Sequence, residues 1–202
     1  MGNLSPEISI FIYSLIIISA IFHEYAHAWM ALYLGDPTAK KAGRLTLNPL
    51  AHIDPFGTIV LPLLLMITSG IFIGYAKPVP INPYNLRDQK YGPAKVAVAG
   101  PASNLLIALI LSLFLRQFTF SSFVQLALSF AVYINIILAL FNLIPIPPLD
   151  GSKLLKAFTS FDLSFGGSFI GTIIALMIAF TFLPSLASFI FQFFTGTAGI
   201  PI

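Results

Sequence analysis

The stretch Ile8–Leu34, ISIFIYSLIIISAIFHEYAHAWMALYL, decides how the rest of the chain is read. It is apolar for longer than the roughly 20 residues that a helix needs to cross a bilayer. Inside it sit His23-Glu24-Tyr25-Ala26-His27. Ionisable groups in such a segment are expensive to bury and mark a functional site by default. Positions four apart share one face of a helix, so His23 and His27 can reach one metal ion. Glu24 lies one residue round from His23, close enough to hold a water beside that ion.

Composition supports the same class. Of the 202 residues, 57% are hydrophobic and only 8% charged, and the mean hydropathy is +0.94. Soluble domains carry about a quarter charged residues. The chain is therefore expected to lie in lipid as a single membrane-embedded domain over residues 1–202, with a core over about 8–157. No cleaved signal peptide is expected, because no Lys or Arg precedes the apolar run and His23 and Glu24 interrupt it. There is no Cys, so a metal here must use His, Asp or Glu. The net charge of +3 reads as a topology signal, and no nucleic-acid partner is expected.

Five apolar segments are legible: Ile8–Leu34, Thr58–Tyr75, Ala94–Leu115, Phe123–Ile146 and Ser168–Phe194. The fold expected is all-α and polytopic, with four to five transmembrane helices, a re-entrant segment and short extended pieces. Arg44-Leu45-Thr46-Leu47 is a candidate extended piece, as is the proline-rich Lys77–Pro83. Pro184 is expected to kink or split the additional C-terminal helix over about 168–194.

Charge decides between two topologies. If all five segments span, Lys77, Arg87, Lys90, Lys95, Lys153 and Lys156 face Lys40, Lys41, Arg44 and Arg116, which is almost no bias. If Thr58–Tyr75 dips in and returns, only Arg116 lies opposite the other basic residues. The positive-inside rule favours the second arrangement and makes the basic side cytoplasmic. The segment is short and contains Pro62, Gly70 and Gly74, which suits a re-entrant path.

A catalytic zinc site usually has three protein ligands and an open position. His23 and His27 supply two, and His52, Asp54, Asp150 and Asp162 are candidates for the third. Asp150 is the best placed. It follows Asn142-Leu143-Ile144-Pro145-Ile146-Pro147-Pro148-Leu149, where three prolines end an apolar helix and can turn a carboxylate inward. His52 and Asp54 read better as parts of a turn, since Asp54-Pro55-Phe56-Gly57 has turn chemistry.

Three motifs occur in order: His23-Glu24-Tyr25-Ala26-His27, Gly100-Pro101-Ala102-Ser103-Asn104, and Asn142 to Gly151 with its prolines and Asp150. Together they resemble the site-2 protease family, intramembrane zinc metalloproteases of peptidase family M50, in a minimal prokaryotic form. The resemblance covers about residues 15–157. It implies one Zn2+ per chain held by His23, His27 and Asp150, with Glu24 as general base and Asn142 near the scissile carbonyl. It also implies a transmembrane protein as substrate. Size and form point to a prokaryotic cytoplasmic membrane as setting, and the charge count puts the site toward the cytoplasm. Two other readings stay open on the residues themselves: a membrane zinc hydrolase of another class, and a metal transporter. A transporter predicts ionisable groups along several helices, whereas here they cluster near one end of two.

Overall fold

A computed structural model describes residues 6–69, 74, 76–159 and 168–197. Seven α-helices follow in order: α1 (Pro6–Tyr33), α2 (Thr38–Lys41), α3 (Leu61–Ser69), α4 (Gly92–Gln117), α5 (Ser122–Asn142), α6 (Asp150–Phe158) and α7 (Ser168–Thr195). Among the described residues, four stretches are long and apolar enough to cross a membrane: Glu7–Tyr33, Gly92–Gln117, Ser122–Asn142 and Ile173–Thr195. No strand forms among the described residues. The chain is thus an all-α polytopic protein.

The second apolar segment is not a fifth span. It begins as a π-helical turn, Pro55–Val60, capped by Asp54, whose carboxylate accepts the Phe56 and Gly57 N–H groups. It continues as α3. The chain then comes back, because the Lys77 N–H donates to the His52 carbonyl at 2.9 Å. The segment enters and returns at one end of the bundle, as the charge count favours. Residues 70–73 and 75 lie outside the described set.

Two expectations are corrected. Arg44–Leu47 is not a continuous extended piece. Leu45 and Thr46 lie in a bend, and the Arg44 guanidinium reaches across to the Lys77 and Pro78 carbonyls. Pro184 does not split the last segment, since α7 runs unbroken through it. A membrane helix can absorb the missing N–H where neighbouring groups satisfy the freed carbonyl.

Helix α4 is the centre of the bundle and packs against α1, α5, α6 and α7. The contacts are made by small residues that let backbones approach. Ala28, Ala31, Ala97, Ala108 and Ala139 are fully buried. Larger residues fill what remains, with Val132, Ile136 and Phe191 around Ala108. The outward faces carry Phe123, Phe180, Phe189 and Phe193, all exposed. In water such a surface would drive aggregation; in lipid it is solvated.

A buried carboxylate ties α1 to the returning chain. Asp36 accepts hydrogen bonds from the Thr38 N–H at 3.0 Å, the Thr38 hydroxyl, the Asn85 amide at 2.9 Å and the Asn82 N–H at 2.7 Å. Burial pushes its pKa up, but these four donors outweigh burial and hold the carboxyl below the usual carboxylate range. A depressed folded pKa stabilises above the unfolded value, about 3.9, and the contribution is lost as pH falls through the folded value. The Asp36→Asn variant, which turns an N–H2 toward N–H donors, is expected to lose about 2–4 kcal/mol. Thermal unfolding in detergent should show a deficit that is constant near neutrality and shrinks only in acid, below the ordinary carboxylate range.

Candidate metal centre

The site is assembled from three helices that the apolar packing brings together. His23 and His27 lie four apart on α1, and both point at α4 and the start of α6. After α5 ends at Asn142, the chain turns through Leu143–Leu149 and restarts as α6 with Asp150 in its first turn. Gly151 allows this restart, because a Cβ there would collide with the Leu143 carbonyl and come within 2.5 Å of the Ile144 carbonyl. Asp150 therefore points back into the bundle. His23, His27 and Asp150 are 6%, 5% and 6% exposed.

Three atoms converge. His27 Nε2 lies 2.9 Å from His23 Nε2, and Asp150 Oδ2 lies 3.2 Å from His23 Nε2 and 3.0 Å from His27 Nε2. Ligands about 2.0–2.1 Å from a tetrahedral zinc ion stand about 3.3 Å apart, so the spacing fits such an ion. The protonation of the rings gives a second test. His23 Nδ1 faces Asn104 Oδ1 at 2.7 Å, and His27 Nδ1 faces the Val96 carbonyl at 2.7 Å. Both partners are acceptors only, so both Nδ1 atoms carry the proton. Both Nε2 lone pairs then point at one carboxylate oxygen and at each other. Such a cluster is stable only with a cation or a shared proton at its centre. The donor set, its spacing and its fixed tautomers all fit zinc.

A polar network extends outward from His23. Asn104, fully buried, gives its amide N–H2 to Asn135 Oδ1 at 2.8 Å and to the Ser19 carbonyl at 3.2 Å. Asn135 in turn donates to the Ser19 hydroxyl at 2.9 Å and to the Ala131 carbonyl at 2.8 Å. The chain of donors leaves Asn104 one orientation, with its oxygen toward His23. On the other side, Lys153 holds the second Asp150 oxygen, Oδ1, at 3.0 Å. The carboxylate thus turns a single oxygen toward the histidines. Gly100 lets α4 approach, since a Cβ there would lie 2.5 Å from both Nε2 atoms.

Glu24 is not part of the triplet. Its Oε2 accepts the Val79 N–H at 2.7 Å. Val79 stands between Pro78 and Pro80, so its N–H is the one donor of that three-residue stretch. Arg44 braces the same stretch through the Lys77 and Pro78 carbonyls. Glu24 and His23 face a cavity of about 410 Å³ whose wall also contains His52 and Asn142 among mostly apolar residues. Asn142 lines the cavity while its amide donates to the Leu138 carbonyl at 2.9 Å.

Of the four candidates for a third ligand, Asp150 alone joins the two histidines among the described residues. Asp54 caps the π-helical turn, and His52 bonds to the Thr46 carbonyl at 2.8 Å. Asp162 lies outside the described residues. Sequence reasoning missed Asn135, Ser19, Val96 and Lys153. Two were within reach of it: Ser19 is four residues before His23 and Asn135 seven before Asn142, each pair sharing a helix face. The Val96 carbonyl carries no side-chain signal at all.

Comparison with known proteins agrees with this geometry. The family model described as peptidase family M50 matches residues 116–183, a stretch that contains Asn142 and Asp150 but not His23 or His27. YwhC of Bacillus subtilis is 40% identical over 150 residues, 70% of this chain and 65% of its own length. Rip2 of Mycolicibacterium smegmatis is 33% identical over 138 residues, 67% of this chain and 52% of its own length. MJ0611 of Methanocaldococcus jannaschii is 30% identical over 152 residues, 74% of this chain and 72% of its own length. Each of the three bears the name of a zinc metalloprotease. The chain spans about two thirds of YwhC and about half of Rip2. No solved structure matches the chain at a significant level. With the ordered motifs and the His-His-Asp cluster, these likenesses place the chain in peptidase family M50, the family of the site-2 proteases.

Proposed function

We propose that this chain is a zinc-dependent endopeptidase that cleaves the transmembrane segments of other membrane proteins. The observation that carries the reading is the convergence of His23 Nε2, His27 Nε2 and Asp150 Oδ2 within 3.2 Å of one another, with both Nδ1 atoms engaged elsewhere. One zinc per chain would be held by these three residues. When bound, zinc polarises the scissile carbonyl and acidifies a water at the open position.

The chain's own residues do the rest. The Val79 N–H holds Glu24 Oε2, which leaves Oε1 to take a proton from the attacking water and pass it to the leaving amine. Asn142 lines the same cavity, and its amide can serve the developing oxyanion once it turns from the Leu138 carbonyl. Apolar walls from Ile16, Ile17, Ile21, Leu138 and Phe141 suit side chains taken from a transmembrane segment. A helix hides its carbonyls in internal hydrogen bonds, so the substrate enters unwound. The bilayer is the other partner.

The re-entrant path supports one sidedness. Nine of the ten basic residues, all but Arg116, lie at the end of the bundle that holds the centre. By the positive-inside rule that end faces the cytoplasm of a prokaryotic cell, and water reaches the centre from there. A membrane zinc hydrolase of another class would share the metal site, and substrate trials separate the two.

Metal analysis of the detergent-purified protein should find one zinc in the wild type and in Glu24→Gln. Cleavage of a single-span peptide should be lost in Glu24→Gln. Asp150→Ala should lose zinc as well as cleavage. A wild type without zinc, or full cleavage by Glu24→Gln, overturns the reading. Gly100→Ala wedges a methyl group between the imidazoles and should weaken zinc affinity about 10–100-fold, read by competition with a chelator. Asn142→Leu should keep zinc and lower kcat about 10²–10³-fold, as loss of an oxyanion donor does.

A further inference from the structure

We propose that Ala20 sets the side-chain preference of the enzyme, as the floor of an apolar subsite that takes a large aliphatic or aromatic residue one or two positions from the scissile bond. The inference rests on the endopeptidase reading and deepens it. Tyr13, Ile17, Ala20 and Glu24 all line the cavity. At 3.6 residues per turn their positions on α1 fall within about 60° of arc, so one stripe of the helix faces the cavity. Ala20 lies in the middle of that stripe, one turn from Glu24. Ile16, Ile17 and Ile21 surround it and also belong to the wall. An alanine among isoleucines leaves a notch, and this one opens beside the carboxylate proposed to activate water.

Burial separates two uses of a small side chain in this bundle. Ala28, Ala31, Ala97, Ala108 and Ala139 are fully buried, and each lets a neighbouring helix approach. Ala20 is only partly buried, as Glu24 is, and retains surface on the cavity. The dimensions suit an unwound substrate. From Glu24 to Tyr13, α1 rises about 16 Å, which an extended peptide covers in about five residues. Ala20 stands four residues from Glu24, about 6 Å along the axis, or about two extended residues. The substrate side chain that meets Ala20 is therefore one or two positions from the carbonyl under attack. The isoleucines around it offer apolar contacts and no hydrogen bond, so size decides what fits. A large apolar side chain fills the notch, whereas alanine leaves part of it without partner atoms.

A change of size on each side of the contact tests it. The cleavage site in a single-span Leu/Ala peptide carrying Gly-Pro at its centre is mapped by mass spectrometry. The two positions on either side of that bond are then varied in turn among Ala, Leu and Phe, and relative kcat/KM is read by competition. At one of these positions the wild type should prefer Leu over Ala about tenfold. Ala20→Leu fills the notch and should reverse that order, to about tenfold in favour of Ala, at unchanged zinc content. Ala20→Gly deepens the notch and should raise Phe relative to Leu. A loss in Ala20→Leu that is the same for every peptide overturns the proposal and assigns Ala20 to packing. An order of preference unchanged in both variants overturns it as well. If Ala20→Leu does not accumulate as a folded, zinc-containing protein, Ala20→Gly decides alone: a rise of Phe over Leu supports the subsite, and an unchanged order overturns it. Failure of the endopeptidase reading looks different: the zinc-loaded wild type cleaves no peptide of the set.

Discussion

A lone pair inside an apolar bundle must be met by a donor or by a cation. In this chain three of them, on His23, His27 and Asp150, are aimed at one point, and much of the polar structure around them holds that aim. Asn104 Oδ1 and the Val96 carbonyl accept the two Nδ1 N–H groups, and Lys153 donates to the second carboxylate oxygen. Asn135 and Ser19 orient Asn104 in turn. Because lipid offers no alternative partners, each link in this network is satisfied by protein, and breaking one leaves a buried polar group with nothing to bond.

The bundle accommodates this polar centre by approaching closely. Alanines at the helix contacts and Gly100 against the imidazoles bring α1 and α4 together. Gly151 does the same where α6 begins beneath the end of α5. These small residues cost little side-chain entropy on packing and leave the large apolar residues facing outward. The re-entrant segment supplies what the spanning helices cannot. It carries the chain back past the end of α1, so that Val79 can hold Glu24 and His52 can stand in the cavity wall. Irregular backbone is tolerated at that depth because it lines a cavity rather than lipid.

Position along the helices also matters. The cluster lies near one end of α1 and at the first turn of α6, at the end of the bundle that carries nine of the ten basic residues. A hydrolytic centre needs water, and a site near an interface can be reached without opening the bundle. In the proposed reaction the apolar cavity and the wet end meet at Glu24.

The sequence by itself determined the class and the three side chains that converge. Apolar length marked the spans, i,i+4 spacing put His23 and His27 on one face, and prolines before Asp150 ended a helix where a carboxylate could turn inward. Each of these is a local pattern, and local geometry is what periodicity encodes. Charge count, a property of the whole chain, correctly favoured a returning second segment. The tertiary structure alone decided which polar groups meet. Asn104 Oδ1 accepts the His23 Nδ1 N–H because α4 crosses α1 at that height, and the Val96 carbonyl accepts that of His27 although backbone oxygens leave no trace in a sequence. Val79 reaches Glu24 across 55 residues of chain, and Arg44 braces a stretch that follows the re-entrant helix. It replaced the expected extended piece at Arg44–Leu47 with a bend and carried α7 unsplit through Pro184.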